Sequence, residues 1–163
     1  MKNLRFCDQC GFVLSTKYKE GIHRPYCKQC DSIKFIDPKI AVLSVASMQN
    51  EIVLVKRSNP PYQGKWSFPA GFVDRGEHIK DATIREFREE TGLNAQVDKL
   101  LGVYSEKNDP VVLIAYSLNI TGGTLKAGFD AIEVDLFRFI DLPKLPFKHD
   151  YDILRAWIDY KDL

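Results

Sequence analysis

Residues 71–93, GFVDRGEHIKDATIREFREETGL, constrain this chain more than any other stretch: a glycine-led loop runs straight into one acidic helix. Glu86, Glu89 and Glu90 stand at i, i+3 and i+4, so a helix places all three carboxylates on one face. The usual oppositely charged partner is missing at Glu86, because position i+4 is Glu90, a like-charge pair that costs about 0.2–0.5 kcal/mol. A negative face of this kind suits a hard divalent cation, and such cations commonly also hold substrate phosphates. Pro69-Ala70-Gly71 is expected to break the chain before the loop, and Gly71 lets backbone approach a ligand closely. The helix is expected over roughly Ile79 to Thr91, with Asp81 and Glu77 negative at its start and Gly92 as a left-handed residue at its end. Ile84 and Phe87 should face the core, while the small Ala82 and Thr83 should leave room for a ligand beside Glu86.

Acidic helical runs are commonly solvated faces, and Arg85 can pair with Glu89 at i+4 without any ligand. The whole spacing says more. Gly71, five residues, Glu77, seven residues, then Arg85-Glu86-Phe87-Arg88-Glu89-Glu90-Thr91-Gly92-Leu93 resembles the Nudix box at every fixed position.

The resemblance implies an α/β fold, the Nudix α/β/α sandwich built on a mixed sheet, and a pyrophosphohydrolase that cleaves a nucleoside diphosphate linked to another moiety. It implies Glu86, Glu89 and Glu90 as the main ligands of Mg²⁺ or Mn²⁺, with Glu77 and the Gly71 carbonyl assisting and Arg85 orienting the acidic side chains. The chemistry is consistent: a pyrophosphate repels an attacking water, and a bound cation screens that charge, acidifies the water and stabilises the leaving phosphate. A carboxylate then takes the proton. In this family the base is a box Glu or a Glu on a later loop, for which Glu133 in GFDAIEVDLFRF is the candidate. Glu133 reads equally as a solvent-facing residue of a strand alternating Ile132, Val134 and Leu136.

All four cysteines lie near the start, as Cys7-Asp-Gln-Cys10 and Cys27-Lys-Gln-Cys30, with 16 residues between the pairs. That spacing suits a structural Cys₄ Zn²⁺ site. Gly11 supplies the tight turn after the first pair, and the segment has too few apolar residues to fold without a staple. Two disulfides are the competing reading, one that belongs to small secreted chains. Met1 to Cys10 carries no apolar run of a signal peptide and no segment approaches membrane-spanning length, so zinc and a cytoplasmic location are expected. His23 reads as a surface residue, since four thiolates complete the shell.

The 163 residues suit one full domain plus a small appendage, a zinc ribbon over residues 1–35 and a Nudix domain over 36–163. A net charge of +1, from 23 basic and 22 acidic residues, calls for neither nucleic acid nor membrane as a partner. Lys17, Lys19, His23, Arg24 and Lys28 in the ribbon are offset by Asp8, Glu20 and Asp31. Strands are expected at 40–46, 52–55, 66–68, 96–104, 111–119 and 133–140, a turn at Thr121-Gly122-Gly123, and a last helix over His149 to Tyr160 with Ile153, Leu154, Trp157 and Ile158 buried.

A zinc ribbon ahead of a Nudix domain is a narrower resemblance, to NADH pyrophosphatases and to shorter proteins acting on ADP-ribose, FAD or similar compounds. The NADH enzymes carry a Ser-Gln-Pro-Trp-Pro-Phe-Pro array after the box; here the stretch reads VYSEKNDPVVLIAYSL, without it. The chain is more similar to the shorter group, whose loop before the last helix resembles LPFKHD, Leu145 to Asp150. The expected partner is therefore a small nucleotide substrate, with AMP as one product; triphosphate hydrolysis and non-catalytic nucleotide sensing are the alternatives. Dimers are common in this family, so a homodimer is compatible with the resemblance. Trp66, Phe72, Tyr104 and Phe129 are candidates to stack on a ring, with core packing the expectation for each, and Lys56 and Arg57 are candidates to meet phosphate.

Overall fold

The structure, a computed structural model, describes residues 5–162, and its internal contacts divide the chain between Pro38 and Lys39 into two compact units. The first is a three-stranded antiparallel sheet of β1 (Ser15–Lys19), β2 (Ile22–Cys27) and β3 (Ser32–Ile33). Gly11, with φ of +69°, follows the first cysteine pair and donates its N–H to the Cys7 carbonyl, so it makes the expected tight turn.

The second unit holds β4 (Lys39–Val45), β5 (Ser47–Met48), β6 (Glu51–Arg57), β7 (Trp66–Ser67), β8 (Ala70–Phe72), α1 (Ile79–Thr91), β9 (Leu93–Ser105), β10 (Val111–Gly123), β11 (Ala131–Phe137) and α2 (Asp150–Lys161). One sheet runs β8-β4-β10-β9, with β4 and β10 parallel and the other pairs antiparallel; a second runs β11-β6-β5, with β7 on β6. Strand β6 shows why apolar residues run without a break: Ile52 and Leu54 enter one core and Val53 the other. Ile153, Leu154 and Trp157 of α2 close the first core, and Phe87 of α1 closes the second. The unit is thus a mixed-sheet α/β/α sandwich with its two helices on opposite cores. Among the described residues no helix is long and apolar enough to cross a membrane.

Four local expectations are corrected. Ala70–Phe72 is not a break but a short strand, with Gly71 opposite Val42. Thr121-Gly122-Gly123 does not turn; it continues β10, and Gly123 is there because a Cβ would stand 2.6 Å from the Gly92 carbonyl oxygen. Strand β11 ends at Phe137, and a 3₁₀ turn takes over at Phe139–Asp141, leaving Ile140 exposed. Ala82 and Thr83 are fully buried, so they seat α1 against the sheet rather than making room for a ligand.

Candidate active site

Helix α1 has no side-chain cap at its start, and at its end Gly92, with φ of +72°, closes the last turn by donating to the Arg88 carbonyl. The helix presents Arg85, Glu86, Glu89 and Glu90 toward the loop that precedes it, and Arg85 organises them. Its Nε and Nη2 donate to the two oxygens of Glu77 at 2.7 and 2.8 Å, its Nη1 donates to Glu86 at 2.8 Å and Glu89 at 3.2 Å, and its Nη2 also donates to the Phe72 carbonyl at 3.1 Å. The bidentate grip on Glu77 is a geometry lysine lacks. It holds the Glu77 carboxyl down at about 2, helped by the Asp74 N–H, and the same carboxylates raise the Arg85 pKa.

Glu90 lies deeper, 6% exposed, and accepts the Ala70 N–H at 2.9 Å. Burial lifts its carboxyl to about 8, with the charges of Glu86 and Asp130 adding to the rise and the Ala70 N–H and the Arg57 charge opposing it. Burial also raises Glu86. Gly71 is required here: a Cβ at that position would overlap the Glu86 carboxyl. Sequence reasoning missed Asp130, which comes near through Gly128. A Cβ on Gly128 would overlap the Glu89 carbonyl, and this close approach lays the loop before β11 against the end of α1. Glu133 sits elsewhere in its interactions: it faces solvent on β11, paired with Lys56 at 3.0 Å opposite it on β6, and no hydrogen bond or ion pair joins it to Glu86, Glu89 or Glu90 among the described residues.

Beside this cluster opens a cleft of about 380 Å³, sharing Ala70 and Gly71 with it and lined further by Tyr104, Phe147, Asp150 and Arg57. Phe72 also lines it, whereas Trp66 packs edge-on against Phe137 at 4.8 Å and Phe129 stands fully exposed, against the core packing expected of it. Arg57 is pinned by its Nε bond to the Pro61 carbonyl at 2.8 Å and by the Phe147 ring 5.1 Å away.

The four cysteine sulfurs form the other cluster. Cys7 lies 4.0 Å from Cys30 and Cys10 lies 3.5 Å from Cys27, and all four stand within 4.8 Å of one another. Those separations are too long for disulfides. They match the roughly 3.8 Å between sulfurs that tetrahedral Zn–S bonds of about 2.3 Å require. Burial pushes the Cys7 thiol up, but the backbone N–H groups of Gln9 and Cys10 outweigh it and hold it at about 6, while its bond to Cys10 and burial push Cys30 up to about 12. His23 stays out of the cluster, packed on Tyr18 at 5.1 Å. Among the described residues the cysteines are the one set of metal-ligating side chains drawn this close; the acidic side chains are turned instead onto Arg85 and the Ala70 N–H.

The family model of the NUDIX domain matches residues 37–158. The chain is a member of the Nudix family. It is an enzyme of pyrophosphate bonds by that membership. Among relatives of this Nudix chain, the "ADP-ribose pyrophosphatase" of Methanocaldococcus jannaschii is 42% identical over 132 residues, covering 78% of each chain. The "NAD-capped RNA hydrolase NudC" of Pseudomonas aeruginosa is 28% identical over 158 residues, 95% of this chain and 54% of that one. The crystal structure of a NUDIX hydrolase from Nitrosomonas europaea superposes with a TM-score of 0.90 at 28% identity, covering 98% of this Nudix chain and 93% of the other.

Proposed function

We propose that this Nudix enzyme hydrolyses a nucleoside diphosphate joined to a second group, of the ADP-ribose, FAD or NADH kind, to AMP and a phosphorylated product. One observation carries the reading: an acidic cluster gathered by Arg85 shares the Ala70–Gly71 wall with an apolar, aromatic cleft. Charge at one end and flat apolar walls at the other suit a molecule with a pyrophosphate and a ring. The similarity to an ADP-ribose pyrophosphatase supports the same substrate class.

The donor set is all oxygen, which suits Mg²⁺ or Mn²⁺. Glu86, Glu89 and Glu90 would hold it, with Glu77 and the Gly71 carbonyl assisting; the close fit of Gly71 against Glu86 and the burial of the Glu90 carboxyl beside it support that assignment. A bound divalent cation supplies charge screening and Lewis acidity toward water and the leaving phosphate. Arg85 keeps Glu77, Glu86 and Glu89 converged, so it positions the carboxylates without touching substrate. Arg57, which lines the cleft and is pinned at Nε, is the candidate to meet a phosphate oxygen. The proton of the attacking water passes to a box carboxylate; the exposure of Glu133 and its pairing with Lys56 support a structural role for that residue. The sulfur spacing of the four cysteines supports Zn²⁺ as their ligand.

Chromatography of products tests the reading. Purified protein with Mg²⁺ is expected to release AMP from ADP-ribose, FAD or NADH and no inorganic pyrophosphate from nucleoside triphosphates. Glu89→Gln is expected to abolish nearly all turnover while the fold persists. Pyrophosphate from triphosphates alone would overturn the substrate class, and near-native turnover by Glu89→Gln at saturating Mg²⁺ would remove Glu89 from the ligand set.

A further inference from the structure

Phe129 is an apolar side chain that folding leaves unused beside the acids: it is fully exposed. Single exposed apolar side chains are ordinary on a protein surface; what sets Phe129 apart is the turn that presents it. The Ala131 N–H donates to the Gly128 carbonyl at 3.3 Å, closing a turn with Phe129 and Asp130 at its corners. Aspartate suits such a corner, whereas phenylalanine has no local role there. Both flanks of the ring are held. The Gly128 N–H donates to the Glu90 carbonyl at 3.3 Å, and a Cβ on Gly128 would overlap the Glu89 carbonyl. The Asp130 carbonyl accepts the Ser58 hydroxyl at 2.7 Å, and the Asp130 carboxylate accepts the Asn59 amide at 3.3 Å. The ring therefore stands on a pinned turn that touches the helix bearing Glu86, Glu89 and Glu90, close enough for the Asp130 charge to act on Glu86 and Glu90.

The other rings near the acids already have partners. His149 lies on Tyr104 at 5.1 Å, Tyr62 and Arg57 pack on Phe147 at 5.0 and 5.1 Å, Lys39 lies over Phe72 at 4.8 Å, and Trp66 packs on Phe137. Phe129 packs on no other ring among the described residues, and its faces are open to solvent. The cleft borders the acids through Ala70 and Gly71; Phe129 borders them through Gly128 and Asp130. A dinucleotide pyrophosphate carries a flat ring on each side of its phosphates, whereas ADP-ribose carries one on one side only. The inference rests on the reading of the cleft as the seat of one such ring. We propose that Phe129 is a specificity-determining residue that stacks on the second ring, raising turnover of pyrophosphates with two flat rings relative to those whose second group is a sugar. A flat heteroaromatic group covers the face of a phenyl ring, and any such group will do, because each has a π-face. A puckered ribose covers little of it.

Phe129→Ala, Phe129→Leu and Phe129→Tyr test the proposal, and because the ring is fully exposed all three should melt like the native protein. The experiment measures kcat/KM for FAD and for ADP-ribose with Mg²⁺. The FAD-to-ADP-ribose ratio is expected to fall about fivefold or more in Phe129→Ala, with the fall carried mainly by KM. Phe129→Leu, apolar but not flat, is expected to fall with it, and Phe129→Tyr to keep the native ratio. A native ratio retained by Phe129→Ala or by Phe129→Leu overturns the inference. If neither compound is cleaved, the proposed substrate class fails separately, and calorimetric titration with FMN and Mg²⁺ decides the role of the ring. Affinity lowered about fivefold or more in Phe129→Ala supports stacking; equal affinity in both proteins, or no binding by the native one, overturns it.

Discussion

Gly71 and Asp150 are two residues whose roles follow from what a single added or exchanged atom would meet. A methyl group at Gly71 would occupy the space of the Glu86 carboxyl, which is itself tied to Arg85. Backbone cannot yield there, because Gly71 is paired in β8 with Val42. Gly71→Ala is therefore expected to push Glu86 aside by about an ångström and to lower kcat/KM on the order of a hundredfold, with helix content by circular dichroism unchanged. Activity within a factor of two of the native value would show that Glu86 does not need its present place. Asp150 carries a different signature. Burial raises its carboxyl from 3.8 to about 6, against the opposing effects of the Phe147 N–H and the Arg57 charge. A raised acid binds its proton more tightly folded than unfolded, so its contribution to stability is full below about pH 4 and is lost as pH climbs to 6. About two pK units correspond to roughly 3 kcal/mol. Relative to the native protein, Asp150→Asn is expected to gain about that much stability between pH 4 and pH 7 in urea denaturation. The gain with pH is the readout, because the unpaired amide nitrogen adds only a constant; parallel curves would place Asp150 outside the buried interior.

Elements differ in how far the sequence announces them. Helix α1 was legible to the residue, since Ile79 to Thr91 carries an apolar period that puts Phe87 in the core and ends on a glycine that takes the left-handed conformation. The long central strands were legible in place and short in extent: β9 begins at Leu93, directly after the helix, where an expected loop would have stood. Strand β8 escaped because three residues with a glycine among them carry no strand signal, and only the partner β4 makes them one. Gly123 and Gly128 escaped for a related reason. Glycine reads as a turn, yet here each permits backbone to approach backbone, Gly123 against Gly92 and Gly128 against Glu89. The clustering of acids on α1 was legible in the box, whereas the influence of Asp130 and the burial of Asp150 depend on contacts between distant elements. Gly128→Ala is the corresponding test at this scale. The added methyl would meet the carbonyl of Glu89, part of the helix backbone, so loop and helix end must separate; a loss of about 1–3 kcal/mol in denaturant unfolding is expected. A loss below about 0.3 kcal/mol would mean that the loop is not held there.

At the scale of the whole molecule, the two units are stabilised by different physics. The second has two apolar cores, one closed by each helix. In the first, Cys7 and Cys27 are the only buried residues among those described, while Phe6, Phe12, Val13, Tyr18, Ile22 and Phe35 remain exposed. Three short strands with no apolar interior do not hold together by burial. The Zn²⁺ proposed for the sulfur cluster would contribute roughly 10–16 kcal/mol at neutral pH, enough to be the folding free energy of this unit. Removing the metal should then unfold residues 5–38 outright, not loosen them. A strong chelator, or Cys27→Ser, is expected to abolish bound zinc and to erase amide protection across β1 and β2 in hydrogen exchange, while protection across β4, β6 and β10 persists. The thiolates must be deprotonated to bind, so zinc retention should fail on the acid side. Retained protection in β1 and β2 after verified zinc loss would show that the hairpin carries a stability of its own and that the four sulfurs only decorate it.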